Sequence, residues 1–207
     1  LGYAYYRLER FSQSLNIYYK AYLTATKHSL KESITLVSCD MGFRFLDIKD
    51  IKSALVQFQN VEQYFQNNKD VFSPPLDKRF YTVSLIGLGY CYQYSNQPDE
   101  ARKILDRISS FRSSLDKLSR LDYEHLKGEF LTSVKDYTRA RQSFQKCIKI
   151  GQQINFTEGI LEAKIHFALL DIKEGNLDSS IQILKDILRE SKHNKLNGLI
   201  GESGLLL

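Results

Sequence analysis

The chain has 207 residues, 43% of them hydrophobic and 26% charged, with a formal net charge of +5 and a pI near 9.0. That is an ordinary soluble composition, long enough to bury a sizeable core. No run of about eighteen apolar residues and no charged-then-apolar leader is present, so neither a membrane span nor a secretory signal is expected. Three cysteines, Cys39, Cys91 and Cys147, stand far apart without metal or redox spacing. They read as small core residues of a reduced, cytoplasmic protein.

The predicted elements are all helical. Residues 1 to about 8 finish a first helix, and its partner runs from Phe11 to about Thr26. A second pair covers Lys31 to Leu46 and Ile51 to Asn67, around the polar turn Asp47 to Asp50. Ser73-Pro74-Pro75 then interrupts the helical pattern, because consecutive prolines cannot continue a helix. The third pair spans Lys78 to Tyr94 and Pro98 to Phe111, with Asn96 as a candidate cap. The fourth covers Leu115 to Ser133 and Tyr137 to Ile150, with Gly151 as its stop. The fifth covers Thr157 to Glu174 and Leu177 to Ser191, turning at Gly175-Asn176, and a sixth begins near Leu196.

One pattern runs through these pairs. Leu88-Gly89-Tyr90-Cys91-Tyr92 is followed by Ala101, Leu105 and Ile108, and the frame recurs around Gly2, Gly42, Gly128 and Ala168. The small-residue pairs 2/14, 42/54, 89/101, 128/140 and 168/180 are all separated by twelve. Two helices joined by a tight turn approach closely at one point, where a larger side chain would force them apart. A hairpin of this kind cannot bury its apolar face alone, so stacking is required.

This frame resembles the tetratricopeptide repeat, whose signature is Leu-Gly-x-x-Tyr in the first helix and Ala-x-x-x-Phe in the second. The resemblance implies an all-α, right-handed α-α superhelix of about five hairpins. Its units fall at about 1–27, 31–67, 78–112, 115–151 and 157–192, with the start of a sixth over 195–207, in a single domain over 1–207 cut from a longer array. Successive small positions lie 40, 47, 39 and 40 residues apart, against about 34 in the common repeat. The longer period resembles arrays in bacterial regulators, including maltose-activator-type transcription factors, peptide-pheromone receptors, and sensor regions attached to diguanylate cyclase or histidine kinase domains, and it is also similar to long repeats of eukaryotic scaffold proteins that bind peptides.

The resemblance also implies where a ligand would sit. First helices of such repeats line the concave face, which selects Tyr3, Tyr6, Arg7, Cys39, Phe43, Asp47, Tyr90, Gln93, Tyr94, His125, Glu129, Thr132 and Ser133. Tyrosines there give contact area and a hydroxyl handle suited to a peptide or protein ligand. The expectation is therefore a non-catalytic interaction domain, the sensory or regulatory region of a larger signalling protein. A self-associating scaffold without external ligand is the alternative.

Other features read more blandly. The basic residues Arg102, Lys103, Arg107, Arg112, Lys117 and Arg120 could face nucleic acid, but no recognisable nucleic-acid module accompanies them, and a solvated helix face is the better reading. His28, His125, His166 and His193 show no paired spacing, so no metal is expected and they read as surface or groove residues. Glu124-His125 with Glu129 reads as ordinary solvated helix charges. Gly198, Gly201 and Gly204 match no phosphate loop or nucleophile elbow and read as contact positions of a packed helix. No nucleophile with its base, metal cluster or phosphate cradle is visible, so no enzyme activity and no cofactor is expected.

Overall fold

The computed structural model describes residues 11–67, 76–194 and 196–207. The predicted half-helix over residues 1–8, with Tyr3, Tyr6 and Arg7, and the Ser73-Pro74-Pro75 linker lie outside the described residues. Within them the chain forms ten α-helices and no strand.

Two compact units are present, dividing between Ser113 and Ser114. The first holds α1 (Phe11–Lys27), α2 (Lys31–Asp47), α3 (Ile51–Asn67), α4 (Leu76–Tyr94) and α5 (Pro98–Ser110). The second holds α6 (Lys117–Ser133), α7 (Tyr137–Gln153), α8 (Thr157–Glu174), α9 (Leu177–His193) and α10 (Asn197–Leu206). Inside each unit every helix packs on the next, as consecutive hairpins, and alternate helices also touch: α2 with α4, and α8 with both α6 and α10. The chain is all-α, built on the predicted hairpin plan.

Local chemistry fixes the turns. The residue seven beyond the small positions 42, 89, 128 and 168 is left-handed: Lys49, Asn96 and Lys135 have φ of 62°, 54° and 63°, and Gly175 has 83°. The N–H that follows reaches back five residues to close the helix, as in Asp50 to Phe45 at 2.9 Å and Asp136 to Leu131 at 2.9 Å. This reach satisfies carbonyls that the helix end leaves orphaned. Asp116 then caps α6, accepting from the Ser119 N–H at 2.9 Å and its hydroxyl at 2.8 Å, and Asp136 caps α7 through Arg139 N–H at 3.2 Å. Two local expectations fail here. Asn96 is the left-handed turn residue rather than a cap, and Gln97 occupies the cap position without a side-chain bond. Gly151 does not stop α7, which runs on to Gln153; a Cβ there would stand 2.6 Å from Ile160 Cγ1 of α8, so its smallness serves packing.

The small-residue frame is where the core closes. Ser14, Ala54, Ala101, Ala140, Ala168 and Ser180 are all buried. Phe58, four beyond Ala54, is fully buried, and a Cβ on Gly42 would meet its ring at 2.6–2.9 Å. Phe144, four beyond Ala140, stands in the same relation to Gly128, at 2.6–2.9 Å. Phe58 also lies against Gly87 of α4, where a Cβ would fall 2.3–2.5 Å from the ring. One aromatic ring is thus held between two helices that both lack a side chain at the contact. By contrast Gly201 and Gly204 of α10 face open space, so they are not the contact positions expected of them.

Replacing a helical glycine with alanine ordinarily stabilises by about 0.5–1 kcal/mol. Gly201→Ala is expected to do so. Gly87→Ala is expected to destabilise by about 1–3 kcal/mol through overpacking, because Phe58 has no free side to which it can move. Urea unfolding reads both signs, and adding Phe58→Leu to Gly87→Ala is expected to recover part of the loss.

Candidate functional site

The first helices of the pairs carry the selected residues, and each unit arranges them differently. In the first unit, Tyr90 and Tyr94 lie one turn apart on α4 and stack, with ring centroids 6.0 Å apart at 27°. Tyr94 is 48% exposed. Lys49, in the turn after α2, brings its ammonium to 5.2 Å from the Tyr94 ring, a cation–π contact that ties the ends of α2 and α4 together. Asp47 closes the same end, paired with Arg44 at 2.9 Å. Burial raises its carboxyl pKa, and the charges of Arg44 and Lys49 oppose that rise. Tyr90, Tyr94 and Asp47 therefore share one end of the helix pair.

The other described residues selected in this unit are less available. Phe43 packs edge-on against Phe58, centroids 5.0 Å apart at 72°, and Gln93 is half-buried. Cys39 is inside the core beside Val61 and Phe65, so it does not line a face.

In the second unit, His125 and Glu129 lie one turn apart on α6, and α8 brings His166 against them. His125 Nδ1 is 3.3 Å from Glu129 Oε1, and His166 Nε2 is 3.8 Å from that same oxygen. The two imidazoles meet edge to face with centroids 4.7 Å apart, and Phe144 stacks flat on His166 at 4.7 Å and 9°. Both rings are largely withdrawn from water. Burial disfavours a proton on His125, but the Glu129 hydrogen bond and the charges of Glu129, Glu162 and Asp122 outweigh it, so its pKa is raised. Burial and the neighbouring His125 push His166 down to about 4, with Glu129 opposing them. The surroundings thus move the two imidazoles apart, His125 upward and His166 downward.

Of the four histidines read as surface or groove residues, His125 and His166 are largely buried and converge on one carboxylate. Glu124 and its neighbours are not the solvated helix charges expected: Glu124 is fully buried, with Lys146 Nζ 3.7 Å away. A cavity of about 300 Å³ opens beside the cluster, lined by Glu129, Thr132 and Ser133 of α6, Tyr137 of α7, and His166 and Lys173 of α8. Thr132 and Ser133, picked for the same face, thus join Glu129 at one opening. His166 was not selected for it; it lies two residues before its small position, outside the register used for ligand-facing residues.

The basic stretch is largely engaged with its own chain. Lys103 pairs with Glu100 at 2.7 Å, Arg107 bonds Glu62 and the Tyr81 hydroxyl, and Arg120 donates to Leu115 O at 3.2 Å. Among the described residues no helix is long and apolar enough to cross a membrane.

Two family models, both described as tetratricopeptide repeat, match the chain, one over residues 84–114 and the other over 125–152. The first match spans most of α4 and all of α5, and the second most of α6 and α7. No curated protein matches the chain.

All three thiols are free and buried. Burial pushes the Cys91 pKa up to about 12 and raises those of Cys39 and Cys147 as well, so none is poised as a thiolate. In the folded chain all three are expected to resist a thiol-alkylating reagent at neutral pH and to react together once guanidinium unfolds it. Mass spectrometry counts the adducts, and fast labelling of any one thiol in the folded state would contradict this burial.

Proposed function

Because the chain carries tetratricopeptide repeats, and such repeats generally mediate protein–protein interaction, we propose that it binds a peptide or protein segment along the face made by its first helices. The observation that carries this reading is the Tyr90–Tyr94 stack, with Tyr94 half exposed beneath the Lys49 ammonium. An exposed aromatic fixed by a neighbouring ring loses little entropy on contact and offers both an apolar face and a hydroxyl. The cavity beside Glu129 and His166 supplies a second, polar subsite on the equivalent helices of the other unit.

The spacing of twelve recurs on both sides of the division, so both units carry the same repeat frame. The long period supports a sensory or regulatory region within a larger bacterial signalling protein. Free buried thiols fit the reducing cytoplasm.

Peptides selected from a displayed random library against the whole chain provide the test. Tyr94→Ala is expected to weaken the selected peptides about tenfold or more, the loss typical of an aromatic anchor. Ile181→Ala, on the exposed side of the second helix α9, is expected to leave them unchanged. Calorimetry distinguishes the two, and the opposite pattern would move the binding face to the second helices.

A further inference from the structure

The structure assigns His125, Glu129 and His166 as a binding site for one divalent transition-metal ion of the zinc class, with an open coordination position toward the cavity beside α6 and α8. Their ligand atoms, one from each side chain, all lie within 4.8 Å of one another. A tetrahedral ion held at about 2.0–2.1 Å by nitrogen and oxygen spaces its ligands about 3.3 Å apart. The His125–Glu129 pair is already at 3.3 Å, and the His166–Glu129 pair, at 3.8 Å, is 0.5 Å wider. Two imidazoles and one carboxylate suit zinc, cobalt or nickel rather than calcium or magnesium, which prefer all-oxygen sets.

The supports around the three ligands fit the same reading. The turn-apart spacing puts His125 and Glu129 on one face of α6, and the flat Phe144 ring holds His166 in place from below. Asp122 and Glu162 add negative charge near His125. Glu129 and His166 both line the cavity, so a fourth ligand, water or an anionic group, has room to enter. Lys135 and Lys173 border that opening and favour an anion there.

Packing does not demand an imidazole at position 166. His166 stands two residues before Ala168, as Gly87 stands two before Gly89. Both positions rest on the aromatic ring of the preceding second helix, Phe144 or Phe58. In the first unit a bare glycine satisfies the contact, while in the second an imidazole takes the place and reaches Glu129.

The full chain, stripped with a chelator, is titrated with Zn²⁺ and with Co²⁺. One ion per chain is expected. Cobalt is expected to give the intense visible bands of a four-coordinate ion without a thiolate charge-transfer band. Glu129→Gln and His166→Gln are each expected to weaken zinc at least about tenfold. In the unaltered chain the imidazole NMR signals of His125 and His166 move with zinc while those of His28 and His193 stay, a readout that holds even if a variant misfolds. The assignment is overturned by no stoichiometric binding at micromolar zinc, by a thiolate band, by shifts confined to His28 or His193, or by folded variants that bind as tightly as the parent.

Discussion

A phenylalanine ring on the second helix of a pair needs the first helix to present bare backbone. Phe58 over Gly42 and Phe144 over Gly128 are the two fully described cases, and in both a Cβ would fall inside contact distance of the ring. The rest of the hairpin is tied to that contact. With the left-handed turn residue seven beyond the small position in every described pair and the next small residue at twelve, the ring four further on has one place to land. Shift the turn by a residue and it would strike a side chain. The constant interval is therefore the trace of a packing constraint, and its reach sets which residues of the first helix are left facing outward.

That geometry explains why some features were legible in the sequence. Helix extents, the turns at 47–50 and 175–176, and the pairing of small residues depend on near neighbours along the chain, and local pattern records them. Gly87 left no such trace, because it answers a ring on the preceding hairpin and lies outside the frame read within one pair. The meeting of His125 with His166 was hidden for the same reason: their helices touch only because α8 stacks on α6, and no spacing rule within one helix anticipates it. Asn96 and Gly151 show the reverse failure. Their residue types favour caps and stops, but the turn register puts Asn96 in the left-handed position, and contact with Ile160 gives Gly151 a role inside α7.

The two units use the exposed faces of their first helices in different ways. In the first, Tyr90, Tyr94 and Lys49 form an aromatic end with a cation over it. Such a surface suits the proposed ligand through apolar area and cation–π attraction. In the second, carboxylate, imidazole and hydroxyl groups gather at a cavity, where directional bonds and charge would select among ligands. Buried thiols contribute to neither face, since Cys39, Cys91 and Cys147 sit in the packed interior.

The polar cluster is also the costly part of this arrangement. Removing imidazoles and a carboxylate from water loses hydration that mutual attraction only partly returns, and His166 accordingly stays neutral down to about pH 4. The Gly87 contact shows that the repeat can close over its aromatic ring with no polar group at all. An imidazole at 166 that packing does not require, in a polar cluster that desolvation disfavours and that opens onto a cavity, has the physical profile of a ligand group rather than of a structural filler.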